Sequence, residues 1–320
     1  MTMMMRTKMT FRIVFLGTPD FAIPSLKMLL DSGYDVRAVI TQPDRKAGRG
    51  QKMMPPPVKV FAQQNDIDVY QFEKISTPQG VAKLKELAPD LLITAAYGHI
   101  LTQEILDIPK LGCINVHASL LPKLRGAAPI QWAIVSGEKQ TGVTTMYTVL
   151  ALDAGDILES EAVEIPQEMT AGQLYEQLSE VGARVLQKTL QKLGDGSLVR
   201  VPQDEKSATY FPIFKKGFGK INFEENCQNI INFVRGLNPM PCAYIVYQEE
   251  KIKIYKVTCK PHDGQEKAGT VLCADAKSGL EIVAKDGVIV VEELQRQGAK
   301  RMNAKESLRG KRIEVGYQFQ

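Results

Sequence analysis

The chain has 320 residues, 44% of them hydrophobic, with a formal net charge of +4. That length suits two domains, and that composition excludes a disordered chain. No apolar run approaches the ~18 residues of a membrane span, and five cysteines without a C-x-x-C pair suggest neither a disulfide framework nor a zinc site.

The Met-rich leader before Phe11 lacks an apolar core with a small-residue cleavage site, so no signal peptide and a reducing, cytoplasmic setting are expected. "FRIVFLG" (11–17) reads as a buried strand, and "FAIPSLKMLLDSG" (21–33) as a helix with Pro24 in its first turn. "YDVRAVITQ" (34–42) is strand-like again, so the opening is a parallel β-α-β unit. Next, "TQPDRKAGRGQKMMPPPVK" (41–59) is dense in proline and glycine and predicts a long loop without helix or strand. Further strands are expected at 67–72, 89–98, 112–118, 142–150 and 156–165, with helices at 77–88 and 127–136. A long amphipathic helix over 170–194 is capped by Thr170 and closed by Gly194. Residues 10–197 therefore form an open, Rossmann-like, largely parallel α/β domain, and 198–212 an extended linker. Residues 213–320 carry one helix near 224–236 and several short alternating strands, the pattern of a small OB-like β-barrel.

Charge sharpens this division. Residues 206–320 hold 19 Lys+Arg against 13 Asp+Glu, a net +6, which leaves −2 for residues 1–205 out of the total of +4. The stretch 296–312 alone holds seven Lys/Arg and one Glu, and a basic patch on a small barrel suits a nucleic-acid backbone. The loop 41–59 carries Arg45, Lys46, Arg49, Lys52 and Lys59 against Asp44. It reads either as a solvated insertion or as an arm for polyanions.

"INVHASLLP" places Asn115 and His117 two apart at a strand end, so their side chains face one spot. Asp153, in "ALDAGDI", also follows a strand, and neighbouring strand ends can bring the three into one cleft. From spacing alone a satisfied polar cluster at a sheet edge is an equal reading. "GTPDFA" (17–22) lacks the glycines of a dinucleotide loop. His99 alone reads as a loop histidine.

Together, "NVHASLLPKLRGAAPIQWAI", "LDAGDI", "FLGTPDFA", "TQPDRKAGRG", "RGLNPMPCAY" and "GAKRMNAKESLRG" resemble the 10-formyltetrahydrofolate-dependent formyltransferases, and within them the branch that formylates methionine on initiator tRNA. The likeness runs from about Phe11 to Leu308. It departs at His99, at Trp132 and in "KLRG", where "RWRG" is usual. The resemblance implies catalytic roles for Asn115, His117 and Asp153. It implies contact with 10-formyltetrahydrofolate at Ser119, Leu120, Leu121 and Pro122, and the co-substrate's pterin is expected beside the strand end Ala96, Tyr97 and Gly98. It also implies contact of initiator methionyl-tRNA with Arg45, Lys46, Arg49 and Lys52 and, on the second domain, Lys300 and Arg301, with Arg49 at the acceptor arm. A monomer without metal or membrane attachment is expected.

Such an enzyme needs no strong base, because an α-amino group titrates near ~8. Asn115 and a protonated His117 would donate to the oxyanion, with Asp153 favouring the imidazolium. Two alternatives stay open. A formyltransferase acting on a small amine, such as a nucleotide sugar or glycinamide ribonucleotide, would need the same triad but not the basic elements. A non-catalytic nucleic-acid-binding protein would not need the triad.

Overall fold

The computed structural model describes residues 11–47, 50–215 and 217–320. In chain order the elements begin with β1 (Arg12–Gly17), α1 (Ile23–Asp31), β2 (Asp35–Thr41), β3 (Arg45–Ala47), β4 (Lys52–Met54), α2 (Pro57–Gln64), β5 (Val69–Gln71), α3 (Pro78–Leu87) and β6 (Leu91–Ala95). They continue with α4 (Gln103–Leu106), β7 (Cys113–His117), β8 (Arg125–Gly126), α5 (Pro129–Val135), β9 (Gln140–Tyr147), β10 (Ile157–Glu164), α6 (Ala171–Asp195) and β11 (Tyr210–Phe211). The last are α7 (Cys227–Gly236), β12 (Ala243–Tyr247), β13 (Glu250–Lys260), β14 (Val271–Asp275), β15 (Gly279–Ala284), β16 (Gly287–Gln295), β17 (Met302–Asn303) and α8 (Ala304–Ser307). They fall into two compact units. One comprises the chain up to Gly126, Gly142–Val163 and Tyr175–Phe211; the other comprises Ala127–Thr141, Glu164–Leu174 and Pro212–Gln320.

A seven-stranded sheet in the order β10-β9-β7-β6-β1-β2-β5 organises the first unit. β1 runs parallel to β2 and β6, β2 to β5 and β6 to β7, whereas β9 is antiparallel to β7. The near-continuous apolar runs of β1 and β6 are buried along their length, as strands covered on both faces require. From β1 the chain builds outward through β2 and β5, then returns to the other side through β6 and β7. The carboxyl ends of β1 and β6 therefore flank the point where strand order reverses, where open α/β sheets bind ligands. At the start of α6, Thr170 Oγ1 accepts from Gln173 N and Gln173 Oε1 accepts from Thr170 N (3.3 and 2.9 Å), a reciprocal capping box.

At the opposite end of the central strands, Arg12 N, Nε and Nη2 all donate to Asp90, at 3.0, 3.0 and 2.8 Å. These bonds hold the Asp90 carboxyl down to about 2. A carboxyl depressed by folding stabilises the native state above its unfolded pKa of about 4 and loses that contribution as pH falls toward 2. Asp90→Asn should accordingly melt below wild type at neutral pH. The two melting curves should converge between pH 4 and pH 2, as followed by circular dichroism.

Residues 41–59 correct the expectation of a structureless loop. β3 and β4 form an antiparallel hairpin in which Arg45 faces Met54 and Lys46 faces Met53, and α2 begins at Pro57. Gly50 (φ 93°) and Gln51 (φ 50°) supply the left-handed backbone of the turn. The prolines do not break α2, because Pro57 sits at a first-turn position, where its missing N–H has no helical partner.

In the second unit the alternating segments form one antiparallel sheet in the order β12-β13-β16-β15-β14, with β17 on β16. Its core joins Ile230 and Val234 of α7 to Ile245, Ile254, Ile282 and Leu294 of the sheet. Helix α5 belongs to this unit and lies close on α7: a Cβ on Gly236 would come within 2.7 Å of Val135 Cγ2.

Candidate active site

Strand β7 ends on His117 and turns Asn115 and His117 to the same side. In the β6–β7 ladder Asn115 lies opposite Thr94, whose hydroxyl donates to Asn115 Oδ1 at 2.8 Å. With its oxygen engaged, the half-buried Asn115 amide has its Nδ2 donors to offer. His117 is only 7% exposed. Its Nε2 lies 3.2 Å from Leu124 O; because a carbonyl only accepts, Nε2 carries the hydrogen. Nδ1 is then the nitrogen that faces Asp153, with Oδ1 at 3.8 Å, too far for a direct hydrogen bond.

Asp153 has a left-handed backbone (φ 49°), uncommon outside glycine and better tolerated by Asp than by most residues. Its surroundings fix that conformation. Asp153 Oδ2 accepts from Gly126 N at 2.8 Å, and Gln203 Nε2 donates to the carbonyls of Asp153 and Gly155 at 2.8 and 2.7 Å. Position 155 admits only glycine, since a Cβ there would lie 1.7 Å from Tyr147 O.

The adjoining Arg125 is fully buried, and all five of its guanidinium hydrogens are used. Nε and Nη2 donate to Gln203 Oε1, Nη1 and Nη2 to the two oxygens of Glu205, and Nη1 to Tyr210 Oη, all within 2.6–3.1 Å. The bond to Glu205 raises the guanidinium above its ordinary value and lowers the Glu205 carboxyl in turn.

Asn115 and His117 on β7 and Asp153, from the loop between β9 and β10, are thus gathered; the loop, and not a neighbouring strand end, brings Asp153 there, because the end of β9 pairs with the start of β7. Sequence reasoning missed Thr94, the Leu124 carbonyl, Arg125 and Gln203. The segment 198–212, read there as a linker, pairs through β11 with β8 and supplies Gln203, Glu205 and Tyr210.

The positions expected to line a folate differ in what they expose. Ser119 is fully buried and its hydroxyl donates to Lys123 O at 2.7 Å. Leu121 is buried, and Leu120 and Pro122 are half-buried. Ala96 and Gly98 are exposed with left-handed backbones (φ 46° and 85°). Between them Tyr97 is buried, its carbonyl held by Thr18 Oγ1 (3.0 Å) and Gln42 Nε2 (3.1 Å). Burial pushes the Tyr97 hydroxyl up to about 12.

The basic positions divide as well. On the hairpin, Arg45, Lys46 and Lys52 are exposed, with Arg45 paired to Glu73; Arg49 lies outside the described residues, as does the leader before Phe11. Lys59 is not a free cation: its Nζ holds both oxygens of Asp44, at 2.8 and 3.0 Å, and Gln71 Oε1, which keeps the Asp44 carboxyl below its ordinary value. In the second unit Lys300 is exposed, and Arg301 is paired to Glu293 with its guanidinium 4.4 Å from the centre of the Tyr255 ring. Arg296 is buried against Glu250, Ser307 and the Lys311 carbonyl, so it is structural. Among the described residues no three His, Cys, Asp or Glu side chains converge on a metal-sized site, and no helix is long and apolar enough to cross a membrane.

A formyl transferase family model matches residues 11–190, and a formyl transferase C-terminal domain model matches 214–312. The chain belongs to the formyl transferase family. The methionyl-tRNA formyltransferase of Acetivibrio thermocellus is 47% identical over 305 residues, covering 95% of this chain and 98% of that protein. That of Ruminiclostridium cellulolyticum is 48% identical over 308 residues, with the same coverage. Among solved structures, an N-formyltransferase from Helicobacter canadensis, in complex with folinic acid and dTDP-3-aminofucose, superimposes with a TM-score of 0.65 at 20% identity, covering 88% of this chain and 99% of that one. HypX from Aquifex aeolicus, in complex with tetrahydrofolic acid, gives 0.61 at 16% identity over 93% of this chain, which spans 47% of HypX. At those identities the likeness shows the shared formyltransferase fold.

Proposed function

We infer that this formyltransferase moves the formyl group of 10-formyltetrahydrofolate to the α-amino group of methionine esterified to initiator tRNA, giving N-formylmethionyl-tRNA for translation initiation. The convergence of Asn115 and His117 with Asp153 of the β9–β10 loop carries the chemistry. The acceptor is read from near-full-length identity, close to one half, to methionyl-tRNA formyltransferases.

The neutral amine attacks the formyl carbon and an oxyanion develops on the carbonyl oxygen. Asn115 Nδ2 donates to it from a fixed position, since Thr94 holds the other end of the amide. His117 Nε2–H is committed to Leu124 O, so Nδ1, when it carries a proton, is the atom that donates toward the reacting centre. The Asp153 carboxylate faces Nδ1 and attracts positive charge there. As the tetrahedral adduct collapses, the C–N10 bond breaks, the ammonium proton leaves the new amide nitrogen, and N10 of the folate gains a proton. Asp153 is placed to assist that transfer through water.

The folate lies against Ser119–Leu120–Leu121–Pro122 and the backbone of Ala96–Tyr97–Gly98, where exposed main-chain groups at 96 and 98 can read a pterin edge. The tRNA meets the hairpin cations Arg45, Lys46 and Lys52 with Arg49, and Lys300 and Arg301 of the C-terminal unit. On this reading most of residues 10–197 make the catalytic domain, 198–212 braces its site through Gln203 and Glu205, and 213–320 carries the tRNA-binding part of a cytoplasmic monomer.

Formyl transfer from 10-formyltetrahydrofolate to charged initiator tRNA, set against nucleotide amino-sugars and glycinamide ribonucleotide, tests the acceptor. Turnover on the tRNA alone is expected, and preference for a small amine would overturn the reading. Lys300→Ala should weaken tRNA binding and reduce the slope of log K against log salt by ~0.7–0.9, one phosphate contact. Arg301→Ala should reduce it less, because Glu293 already pairs with that guanidinium. Binding titrations between low and physiological salt give both slopes.

A further inference from the structure

Leu124 and the two residues of β8 that follow it divide the work of holding the catalytic pair. Leu124 O accepts from His117, Arg125 grips Gln203, and Gly126 N donates to Asp153. That strand is itself held by the segment before the second unit. Thr209 Oγ1 accepts from Leu124 N at 2.9 Å, and Thr209 O accepts from Arg125 N at 2.8 Å. Tyr210 and Phe211 then extend the pairing along Arg125 and Gly126. The contact is close: Gly126 has φ 102°, and a Cβ there would lie 2.5 Å from Phe211 O.

We propose that Arg125 and Gln203 are positioning residues for formyl transfer, and that residues 203–211 form a clamp that sets the Asp153 carboxylate against His117. Gln203 bridges the two halves: its oxygen accepts from Arg125, and its amide donors hold the carbonyls on either side of Ala154. A side chain that only joined two surface segments would not need a fully buried guanidinium with every donor used. Burying that charge is costly unless it is paired and hydrogen-bonded, and here the pairing also fixes the plane in which Gln203 must lie. Without the Gln203 amide, the left-handed Asp153 keeps its side-chain bond to Gly126 but loses the bond that holds its backbone, and a carboxylate displaced by about 1 Å costs on the order of 10²-fold in rate. The proposal rests on Asp153 acting in the reaction.

The test is a cycle of Gln203→Glu and Asp153→Asn in the full-length protein. Gln203→Glu keeps the acceptor for Arg125 and replaces both donors to the Asp153 loop with an oxygen that repels the two carbonyls, so its rate is read beside its melting temperature. We expect kcat to fall about 10–10²-fold, with KM for both substrates near wild type, the melting temperature somewhat lower and the far-ultraviolet circular dichroism unchanged. In the Asp153→Asn background the same change should cost less than about 2-fold, because residues acting as one unit are not additive. Hydrogen exchange at the Gly126 amide, which donates to Asp153, should quicken in Gln203→Glu. Arg125→Lys, lacking the fork that holds Gln203, should share both signatures. Full additivity of the two substitutions, or wild-type exchange at Gly126 in Gln203→Glu, overturns the proposal. The exchange measurement needs no turnover, so it stands apart from the question of which amine the wild-type enzyme formylates.

Discussion

Asn115→Ala is expected to lower kcat/KM for formyl transfer by about 10²–10³, the usual cost of one lost oxyanion donor. The melting temperature should stay near that of the wild type. Asn115 is half-buried, and among the described residues its side chain bonds to Thr94 Oγ1 at 2.8 Å. That hydroxyl can turn to Ile114 O, which already lies at 3.5 Å, so truncation strands no buried group. Asn115→Asp is the sharper variant. It preserves the acceptor for Thr94 and the shape of the side chain, but replaces the donor with a negative charge facing the developing oxyanion. Its rate should fall at least as far as that of alanine. His117→Ala should lose a similar factor and also some stability, since it leaves Leu124 O without its partner. Single-turnover rates with saturating folate, measured beside thermal melts, separate the two effects. Wild-type turnover in Asn115→Ala would remove Asn115 from the mechanism.

Most of the first sheet was legible because local signals agreed with it. Buried parallel strands such as β1 and β6 read as continuous apolar runs, and α6 carries its capping box in Thr170 and Gln173. The i, i+2 spacing of Asn115 and His117 transfers directly to one side of β7. The hairpin at 45–54 was not legible. Its strands are three residues each, too short for alternation to register against the surrounding prolines and glycines. What escaped most completely was the support of the site. Arg125 and Gln203 are 78 residues apart in sequence, and no periodicity links them. Polar residues in an aperiodic stretch read as linker, although Gln203 donates to the loop that carries Asp153. The same blindness affects charge counting. Arg296 and Lys59 add to the basic total, yet both are spent on carboxylates within the fold.

Asp153→Asn isolates charge from architecture. The carboxamide oxygen can still accept from Gly126 N, now bonded to Asp153 Oδ2 at 2.8 Å, and the backbone of residue 153 stays held by Gln203. The loop should therefore keep its shape. What changes is the atom facing His117 Nδ1, where the carboxylate Oδ1 at 3.8 Å gives way to an amide nitrogen. An NH2 there presents a donor toward Nδ1 in place of an acceptor, and removes the negative charge beside it. A fall in kcat of about 10² or more is expected, on the scale of one removed electrostatic stabiliser, with folate and tRNA KM values little changed. Asp153→Ala should match that loss of rate and also melt lower, because it abandons Gly126 N as well. If Asp153→Asn turns over like wild type while Asp153→Ala is impaired and destabilised, the carboxylate serves only to hold the loop, and His117 works without a charged partner.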